Sequence, residues 1–257
     1  MPRTFGKVAR RVRRRVKPIV VRGDDAIHRR VGLTVGPFDS SFPVLQPIHP
    51  DNVEILADAE FTASCREVSG LTLLDTPRLA NLWSLCRLCD PTGSVIEVGS
   101  FRGGGALHLS NSAPERRMIV CDSFAGFERL DDELDELFDQ GMFVDTSAAA
   151  VERLFADRGR DVLILAGFFP ASADGHELGP LSFAHLDVDV YEATRDTLEF
   201  IRPLMCARSM IVLDDVRRGA KGVDVAISEF VDANPDWLSL PLFPGQGLLI
   251  NRSWFDG

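Results

Sequence analysis

The stretch SFAHLDVDVYEATRDTLEFIRPLMCARSMIVLDD, residues 182–215, predicts a strand, a helix and a second strand in succession. The apolar run Ser182–Asp187 has the length of a buried strand, Tyr191–Leu204 has the length of a helix, and Ser209–Leu213 is again apolar. Because a helix between two buried strands is typical of a parallel crossover, this stretch indicates an α/β fold.

The same alternation continues on both sides of this stretch. Upstream, we predict strands and helices in turn at Ser94–Val98, Gly104–Ser112, Arg117–Cys121, Thr146–Arg158 and Asp161–Leu165. Downstream, we predict a helix and then two apolar runs, at Gly219–Val231, Leu238–Leu242 and Gly247–Asn251. The expected architecture is a mostly parallel, seven-stranded sheet with helices on both faces.

Length and charge divide the chain into two parts. The 257 residues are 45% hydrophobic, which suits one large domain, and we place that domain at residues 51–257. Residues 1–50 are expected to form a basic, irregular extension that packs on the main domain or on a neighbouring subunit. Binding of this basic arm to nucleic acid or anionic lipid stays open as an alternative. Its first 30 residues contain Arg3, Lys7, Arg10, Arg11, Arg13, Arg14, Arg15, Lys17, Arg22, Arg29 and Arg30.

The composition of the whole chain narrows the class of protein. A net charge of −10 argues against nucleic-acid binding by the main domain, because phosphate recognition needs basic surface. No segment has the length of a membrane span, so we expect a cytoplasmic protein. The five cysteines include one CxxC pair, Cys86 and Cys89, which lacks a second pair to complete a zinc site and is favoured as core.

Residues 123–145 interrupt the regular alternation with a long acidic connection, which contains the run DDELDE at residues 131–136. A connection of this length inside a compact fold is usually mobile or functional. Two interpretations remain open, namely a solvated acidic helix and a lid over an active site.

A glycine-rich turn, EVGSFRGGG at residues 97–105, follows the first predicted strand. Such a turn allows a ligand to approach the backbone and the free amides of the following helix. The second glycine of a dinucleotide fingerprint would fall at Phe101, whose ring would obstruct a pyrophosphate. The acid Glu97 suits a ligand with an amino group or a positive charge. The candidate cofactor contacts in this turn are Glu97, Gly99, Ser100, Phe101 and Gly103.

Asp122 follows the second predicted strand, where a carboxylate can accept hydrogen bonds from the two hydroxyls of a ribose. The alternative role for Asp122 is to cap a turn. A glycine turn after one strand and an acid after the next fit a nucleoside cofactor without phosphates. S-adenosylmethionine is the leading candidate.

Four aspartates follow the fourth and fifth predicted strands: Asp187, Asp189, Asp214 and Asp215. Side chains in a strand alternate, so Asp187 and Asp189 are expected on one side, and neighbouring strands would bring all four together. Because like charges so close require protons or a cation, oxygen ligands predict a hard ion, with Mg²⁺ first and Mn²⁺ or Ca²⁺ behind it. The alternative is that each aspartate caps the helix that follows it.

Five segments together resemble the macrocin O-methyltransferase family, which methylates sugar hydroxyls on glycosylated natural products. The resemblance runs from about Thr76 to Val231, and the order and spacing of the segments carry it. They are EVGSFRGG, CDSFAGF, GFFP at residues 167–170, LDVDVYEATRDTLEFIRP, and LDDV followed by KGVDVAISEF.

The resemblance implies a Rossmann-like, class I S-adenosylmethionine-dependent methyltransferase with Mg²⁺. It implies Asp187, Asp214 and Asp215 as metal ligands and Asp189 as the catalytic base. It also implies that Glu97, Gly99 and Asp122 line the cofactor site, with Ser123 beside it. The chain departs from the family around Val188–Ala193 and at Val216. These departures leave the metal-binding aspartates in place, so they bear on the shape of the acceptor pocket more than on the reaction.

We therefore expect an O-methyltransferase that acts on a sugar hydroxyl of a glycosylated natural product or a polysaccharide. The expected partners are a small-molecule or oligosaccharide acceptor and further copies of the chain, in a homodimer or a higher homo-oligomer. The alternatives are a catechol-type O-methyltransferase on an aromatic diol, a non-catalytic nucleoside-binding protein, and a nicotinamide oxidoreductase, which Phe101 disfavours.

Overall fold

The computed structural model describes residues 55–255 and two short strands near the N-terminus, β1 (Leu33–Thr34) and β2 (Gln46–Pro47). The chain divides into two units, Met1–Pro50 and Asp51–Gly257. In the first unit, β1 and β2 pair in antiparallel fashion. The remainder of the predicted basic extension lies outside the described residues.

The second unit alternates strands and helices, largely as the sequence predicts. Strand β3 (Ser94–Val98) and helix α3 (Gly104–Ser112) coincide with their predicted ranges, the later elements differ by a few residues at their ends, and two further helices precede β3. The remaining elements are α1 (Ala59–Glu67), α2 (Thr76–Leu88), β4 (Met118–Asp122), α4 (Ala148–Ala156), β5 (Val162–Ala166), β6 (Leu181–Leu186), α5 (Tyr191–Ile201), β7 (Met205–Leu213), α6 (Lys221–Ala233), β8 (Trp237–Leu242) and β9 (Gln246–Asn251).

The strands of the second unit form one seven-stranded sheet in the order β5-β4-β3-β6-β7-β9-β8. Strands β3 to β7 run parallel, and the last two form an antiparallel edge. The predicted mostly parallel sheet is therefore confirmed. From β3 the sheet grows one way through β4 and β5 and the other way through β6 and β7. Ligands bind at the carboxyl ends of the strands beside such a reversal.

Helices cover both faces of the sheet, as predicted. In β3, the side chain of Val95 packs in a core with helices α1 to α4, whereas Ile96 packs in a second core with α5 and α6. The same alternation recurs in β7 at Met210 and Ile211. Because strand residues alternate between faces, near-continuous apolar strands are what a sheet covered on both sides requires.

The cysteine pair that the sequence favours as core, Cys86 and Cys89, is buried, and so is His108. Cys86 and Cys89 carry free thiols, and burial raises the pKa of the Cys89 thiol to about 12. His108 lies fully buried among helices α1 to α3 and makes hydrogen bonds through both ring nitrogens. Across residues 55–255, no helix has the length and apolar character needed to cross a bilayer.

Candidate active site

A cavity of about 980 Å³ opens at the carboxyl ends of the parallel strands. Residues that follow β3, β4, β5, β6 and β7 all contribute to its wall, because these strands end at the same edge of the sheet. The cavity brings together most of the predicted site residues: Glu97, Gly99, Ser100, Phe101, Asp122, Ser123, Asp187, Asp189, Asp214 and Asp215.

Gly103, a predicted cofactor contact, has a different position. It precedes helix α3 with a φ of 80°, and a Cβ atom there would meet Cγ1 of Val151 in α4 at 2.9 Å. Gly103 therefore lets α3 pack closely against α4, and it is not among the residues that line the cavity. The cofactor contact at Gly103 therefore stays a prediction, and the observed contacts of this glycine are with α4.

The turn after β3 approaches the segment after β6 very closely at Gly99. Gly99 has a φ of 85°, and a Cβ atom at this position would overlap the carbonyl oxygen of Asp187. Only glycine tolerates both the conformation and the close approach. The glycine turn and the aspartate-bearing segment are therefore in direct backbone contact.

Glu97 is buried at the end of β3 and is paired with His185 of the neighbouring strand β6. The Nδ1 atom of His185 lies 2.9 Å from Oε1 of Glu97, and both side chains are at most 2% exposed. Oε2 of Glu97 is also buried and has no hydrogen-bond partner among the described residues. Gly105 makes room for this carboxylate, because a Cβ atom there would overlap Oε1. The free oxygen suits a hydrogen-bond donor on a bound ligand.

Asp122 caps the turns that surround it, as one of the two interpretations predicts. Its Oδ2 accepts a hydrogen bond from the amide of Phe101 at 2.7 Å, and its Oδ1 accepts one from the amide of Phe124 at 2.7 Å. Burial raises the pKa of Asp122, while these two amides and that of Ser100 oppose the rise. Each carboxylate oxygen has a second lone pair, so a turn cap that lines the cavity can still accept a ligand hydroxyl.

Ser123 also has local hydrogen bonds, although it lines the cavity. Its hydroxyl donates to the carbonyl of Gly126 at 2.7 Å and accepts from the amide of Ala125 at 3.1 Å. Its observed contacts therefore shape the loop that follows β4.

Three aspartates at the ends of β6 and β7 form a compact cluster. One carboxylate oxygen each from Asp187, Asp214 and Asp215 lies within 4.8 Å of the others. Asp189 lies close enough to them that, beyond the effect of burial, the carboxylates of Asp187, Asp215 and Asp214 raise its pKa. The predicted convergence is observed, and β6 and β7 are neighbours as it requires, but the expected strand alternation between Asp187 and Asp189 is not present. Strand β6 ends at Leu186, and Asp189 has a φ of 65°, so the chain turns after the strand instead of continuing its alternation.

The interpretation of these aspartates as helix caps is also wrong. Helix α5 has Val190 at its N-cap and α6 has Ala220, and neither N-cap residue makes a side-chain capping bond. The first amide of α5 is instead bound by Asp135, from the acidic segment.

The electrostatics of the cluster suit a cation. Burial raises the pKa of Asp187 and of Asp189 well above the ordinary value, and the neighbouring carboxylates raise both further. Burial also raises the pKa of Asp214. Oδ1 of Asp214 is buried without a hydrogen-bond partner in the described part of the chain. Three convergent carboxylates, one of which has a buried oxygen without a hydrogen-bond partner, form a set of oxygen donors that fits a hard divalent ion.

Arg78 is a site residue that the sequence analysis missed. It lies in the first turn of α2, is 8% exposed, and forms an ion pair with Oδ2 of Asp214. Its Nη2 donates to the carbonyl of Leu73 at 2.8 Å, and its Nε lies 3.4 Å from Oδ1 of Asp75. The sequence could have indicated its burial, because Arg78 lies four residues before Leu82 and therefore on the apolar face of the helix.

The acidic segment at residues 123–145 contains turns and no helix, so the first of the two open interpretations, an acidic helix, is wrong. It is anchored by Asp135, which is 3% exposed and accepts hydrogen bonds from the amides of Tyr191 and Asp131. The ring of Phe143 packs against that of Phe101 with the centroids 5.8 Å apart. Part of this segment therefore lies beside the cavity, as the alternative of a lid requires.

Comparison with known proteins places this architecture in a family. The family model described as Macrocin-O-methyltransferase (TylF) matches residues 62–237. Mycinamicin III 3''-O-methyltransferase of Micromonospora griseorubida is 27% identical over 187 residues, which are 63% of this chain and 73% of that enzyme.

A second relative is 26% identical over 171 residues, which are 56% of this chain and 65% of the relative, slightly under two thirds of its length. It is the 8-demethyl-8-(2,3-dimethoxy-alpha-L-rhamnosyl)-tetracenomycin-C 4'-O-methyltransferase of Streptomyces olivaceus.

Solved structures show the same fold. The O-methyltransferase NovP aligns with a TM-score of 0.59 at 20% identity, over 70% of this chain and 82% of its own. The calicheamicin methyltransferase CalS11 aligns with a TM-score of 0.51 at 20% identity, over 79% of this chain and 93% of its own.

Proposed function

Because this chain belongs to the macrocin O-methyltransferase family, we propose that it transfers a methyl group from S-adenosylmethionine to a sugar hydroxyl of a glycosylated natural product or a polysaccharide. We propose further that the reaction depends on a divalent metal ion, with Mg²⁺ as the first candidate. The names of the two relatives support a glycoside acceptor, since one is a rhamnosyl-tetracenomycin methyltransferase and the other a mycinamicin methyltransferase.

One observation carries the proposal. The cluster of Asp187, Asp214 and Asp215 and the glycine turn at Gly99 line the same cavity, and their backbones touch where Gly99 meets Asp187. An ion site and a nucleoside site in contact can hold a hydroxyl and a methyl donor side by side. Near-attack geometry of this kind supplies much of the rate in a bimolecular transfer.

The cofactor side of the cavity offers donors and acceptors that suit S-adenosylmethionine. The free Oε2 of Glu97 would accept a hydrogen bond from the amino group of the methionine part. The remaining lone pairs of Asp122 would accept hydrogen bonds from ribose hydroxyls. The backbone of Gly99 and Ser100 lines the same cavity as these two carboxylates.

The acceptor side would be organised by the aspartates. A divalent ion held by Asp187, Asp214 and Asp215 would lower the pKa of an adjacent acceptor hydroxyl. Asp189 would take the proton of that hydroxyl onto its carboxylate, since it lies beside the three ligands and has a raised pKa that favours proton uptake. The hydroxyl oxygen then attacks the methyl carbon, and the sulfonium sulfur leaves with the bonding electron pair.

The proposal is tested by methyl transfer from labelled S-adenosylmethionine to three acceptors: a rhamnosylated macrolide, an aromatic diol and a free monosaccharide. We expect transfer to the glycoside, abolished by EDTA and restored by Mg²⁺. Transfer to the aromatic diol alone would replace the sugar acceptor with a catechol-type one. Full activity in EDTA would remove the metal from the mechanism. Calorimetry with S-adenosylhomocysteine and NADH tests the cofactor, and we expect binding of the first only.

A further inference from the structure

Arg78 is a buried cation within the anionic wall of the cavity. Its guanidinium lies between two buried carboxylates, those of Asp75 and Asp214, and lines the same cavity as the aspartate cluster. Asp75 is the N-cap of α2 and binds the amide of Arg78 itself at 3.1 Å. The hydrogen bond from Arg78 to the carbonyl of Leu73 adds a third contact. The guanidinium is therefore held rigidly by groups that precede the helix.

The guanidinium contacts only one oxygen of Asp214. Oδ2 pairs with Nη1 of Arg78, whereas Oδ1 is buried and has no partner in residues 55–255. A guanidinium N–H that donates to one carboxylate oxygen occupies that oxygen and leaves the other free to accept a different partner. Arg78 thus determines which oxygen of Asp214 is available to the cluster.

We propose that Arg78 is a positioning residue, acting through Asp214, that serves as a built-in counter-ion of the metal site. It holds the carboxylates together when no ion is bound, and its positive charge weakens the binding of the ion that later joins them. This inference rests on the proposed metal-dependent function. The physical reason is that a cation in direct contact with a ligand carboxylate repels a second cation at short range and competes for the same oxygens.

The test is titration of the purified full-length protein with MnCl₂ in an isothermal calorimeter, for the wild type, Arg78→Met, Arg78→Lys and Arg87→Met. Arg87 is the matched control, because it lies in the same helix, is half-exposed, and is outside the cavity wall. We expect Arg78→Met to bind Mn²⁺ at least about tenfold more tightly than the wild type, because one repulsive charge is removed. Arg78→Lys keeps the charge, so its affinity should stay near that of the wild type, as should that of Arg87→Met.

Thermal melting supplies a second readout that does not depend on activity. In EDTA, Arg78→Met should melt below the wild type, and Mn²⁺ should raise its melting temperature by more than it raises that of the wild type. If Arg78→Met does not fold, the double variant Asp75→Asn/Arg78→Met removes one unpaired carboxylate, keeps a capping side chain, and should show the same increase in affinity.

The calorimetric titration distinguishes failure of the role of Arg78 from failure of the proposed metal-dependent reaction. Mn²⁺ binding to Arg78→Met that equals or falls below that of the wild type overturns the counter-ion role and leaves the proposed reaction standing. Absence of Mn²⁺ binding to the wild type overturns the metal-dependent reaction itself, and the role of Arg78 with it.

Discussion

Asp189 differs from its three neighbours in its position, which suits a proton acceptor. It lies outside the group of oxygens within 4.8 Å that Asp187, Asp214 and Asp215 form, although it follows Asp187 by two residues and lines the same cavity. Burial and the adjacent carboxylates raise its pKa well above the ordinary value. A carboxylate of raised pKa holds a proton more strongly, which suits general-base work near neutral pH.

Substitution of Asp189 by asparagine tests whether this residue accepts the proton while the other three aspartates bind the ion. Asparagine keeps the shape and a hydrogen-bonding oxygen but cannot accept the proton, so we expect turnover to fall about 10²- to 10⁴-fold. The dissociation constants of S-adenosylhomocysteine and Mn²⁺ should stay within a few-fold of the wild type. Single-turnover kinetics and calorimetry measure the two effects, and a variant with ordinary turnover would show that another group takes the proton.

Among loops and helices, the acidic segment at residues 123–145 is joined to the site through Asp135. This carboxylate binds the first amide of α5, two residues after Asp189. Gly222 of α6 makes room for it, because a Cβ atom at that position would overlap Oδ1 of Asp135. The segment, two helices and the aspartate-bearing turn thus meet at one buried carboxylate.

Removal of this carboxylate should loosen the segment and the start of α5 together. We expect Asp135→Ala to lower the free energy of unfolding by about 1–2 kcal/mol, as the loss of a helix cap does, and to speed protease cleavage within residues 123–145. Turnover should fall as well, since Asp189 precedes the loosened helix. Asp132→Ala is the control, because Asp132 is exposed in the same segment. Equal cleavage rates in the two variants would contradict the anchoring role.

For the molecule as a whole, stability in acid should depend on His108, which links three helices. Its Nδ1 lies 2.8 Å from the hydroxyl of Ser64 in α1, and its Nε2 lies 3.0 Å from the carbonyl of Leu79 in α2. Burial lowers the pKa of His108 to about 4 from the ordinary 6.5. The unfolded chain therefore binds a proton that the folded chain excludes, and this histidine's contribution is complete above pH 6.5 and lost as the pH falls towards 4.

Denaturant unfolding at pH 7.5 and pH 5 measures the effect. We expect His108 to account for about 2 kcal/mol of the stability lost between these two pH values. His108→Gln, which keeps hydrogen-bonding groups but does not titrate, should lose correspondingly less than the wild type over this interval. His176→Gln is the control, because His176 is exposed. A His108→Gln variant with the wild-type pH dependence would assign the acid sensitivity to other groups.

The order of strands and helices, and the residues at the strand ends, could be predicted from the sequence. Apolar runs such as SVIEV and the helices between them are local patterns, and they place Glu97, Asp122, Asp187 and Asp214 at one edge of the sheet without knowledge of any contact. The acidic cluster follows from this placement. The resemblance to a family added the separate roles of Asp187 and Asp189, which spacing alone left open.

The contacts that complete the site could not be predicted in this way, because they join residues far apart in the chain. Arg78 and Asp214 are 136 positions apart, and Asp135 and the Tyr191 amide are 56 apart. Nothing local to either partner encodes such a pairing. The turn of the chain at Asp189 and the packing of Gly103 against α4 likewise depend on neighbouring elements. Sequence periodicity thus determines which face of each element is buried. The ion pairs and the carboxylate cluster of the cavity are decided by the tertiary structure, because only folding brings distant carboxylates and cations within a few ångströms of one another.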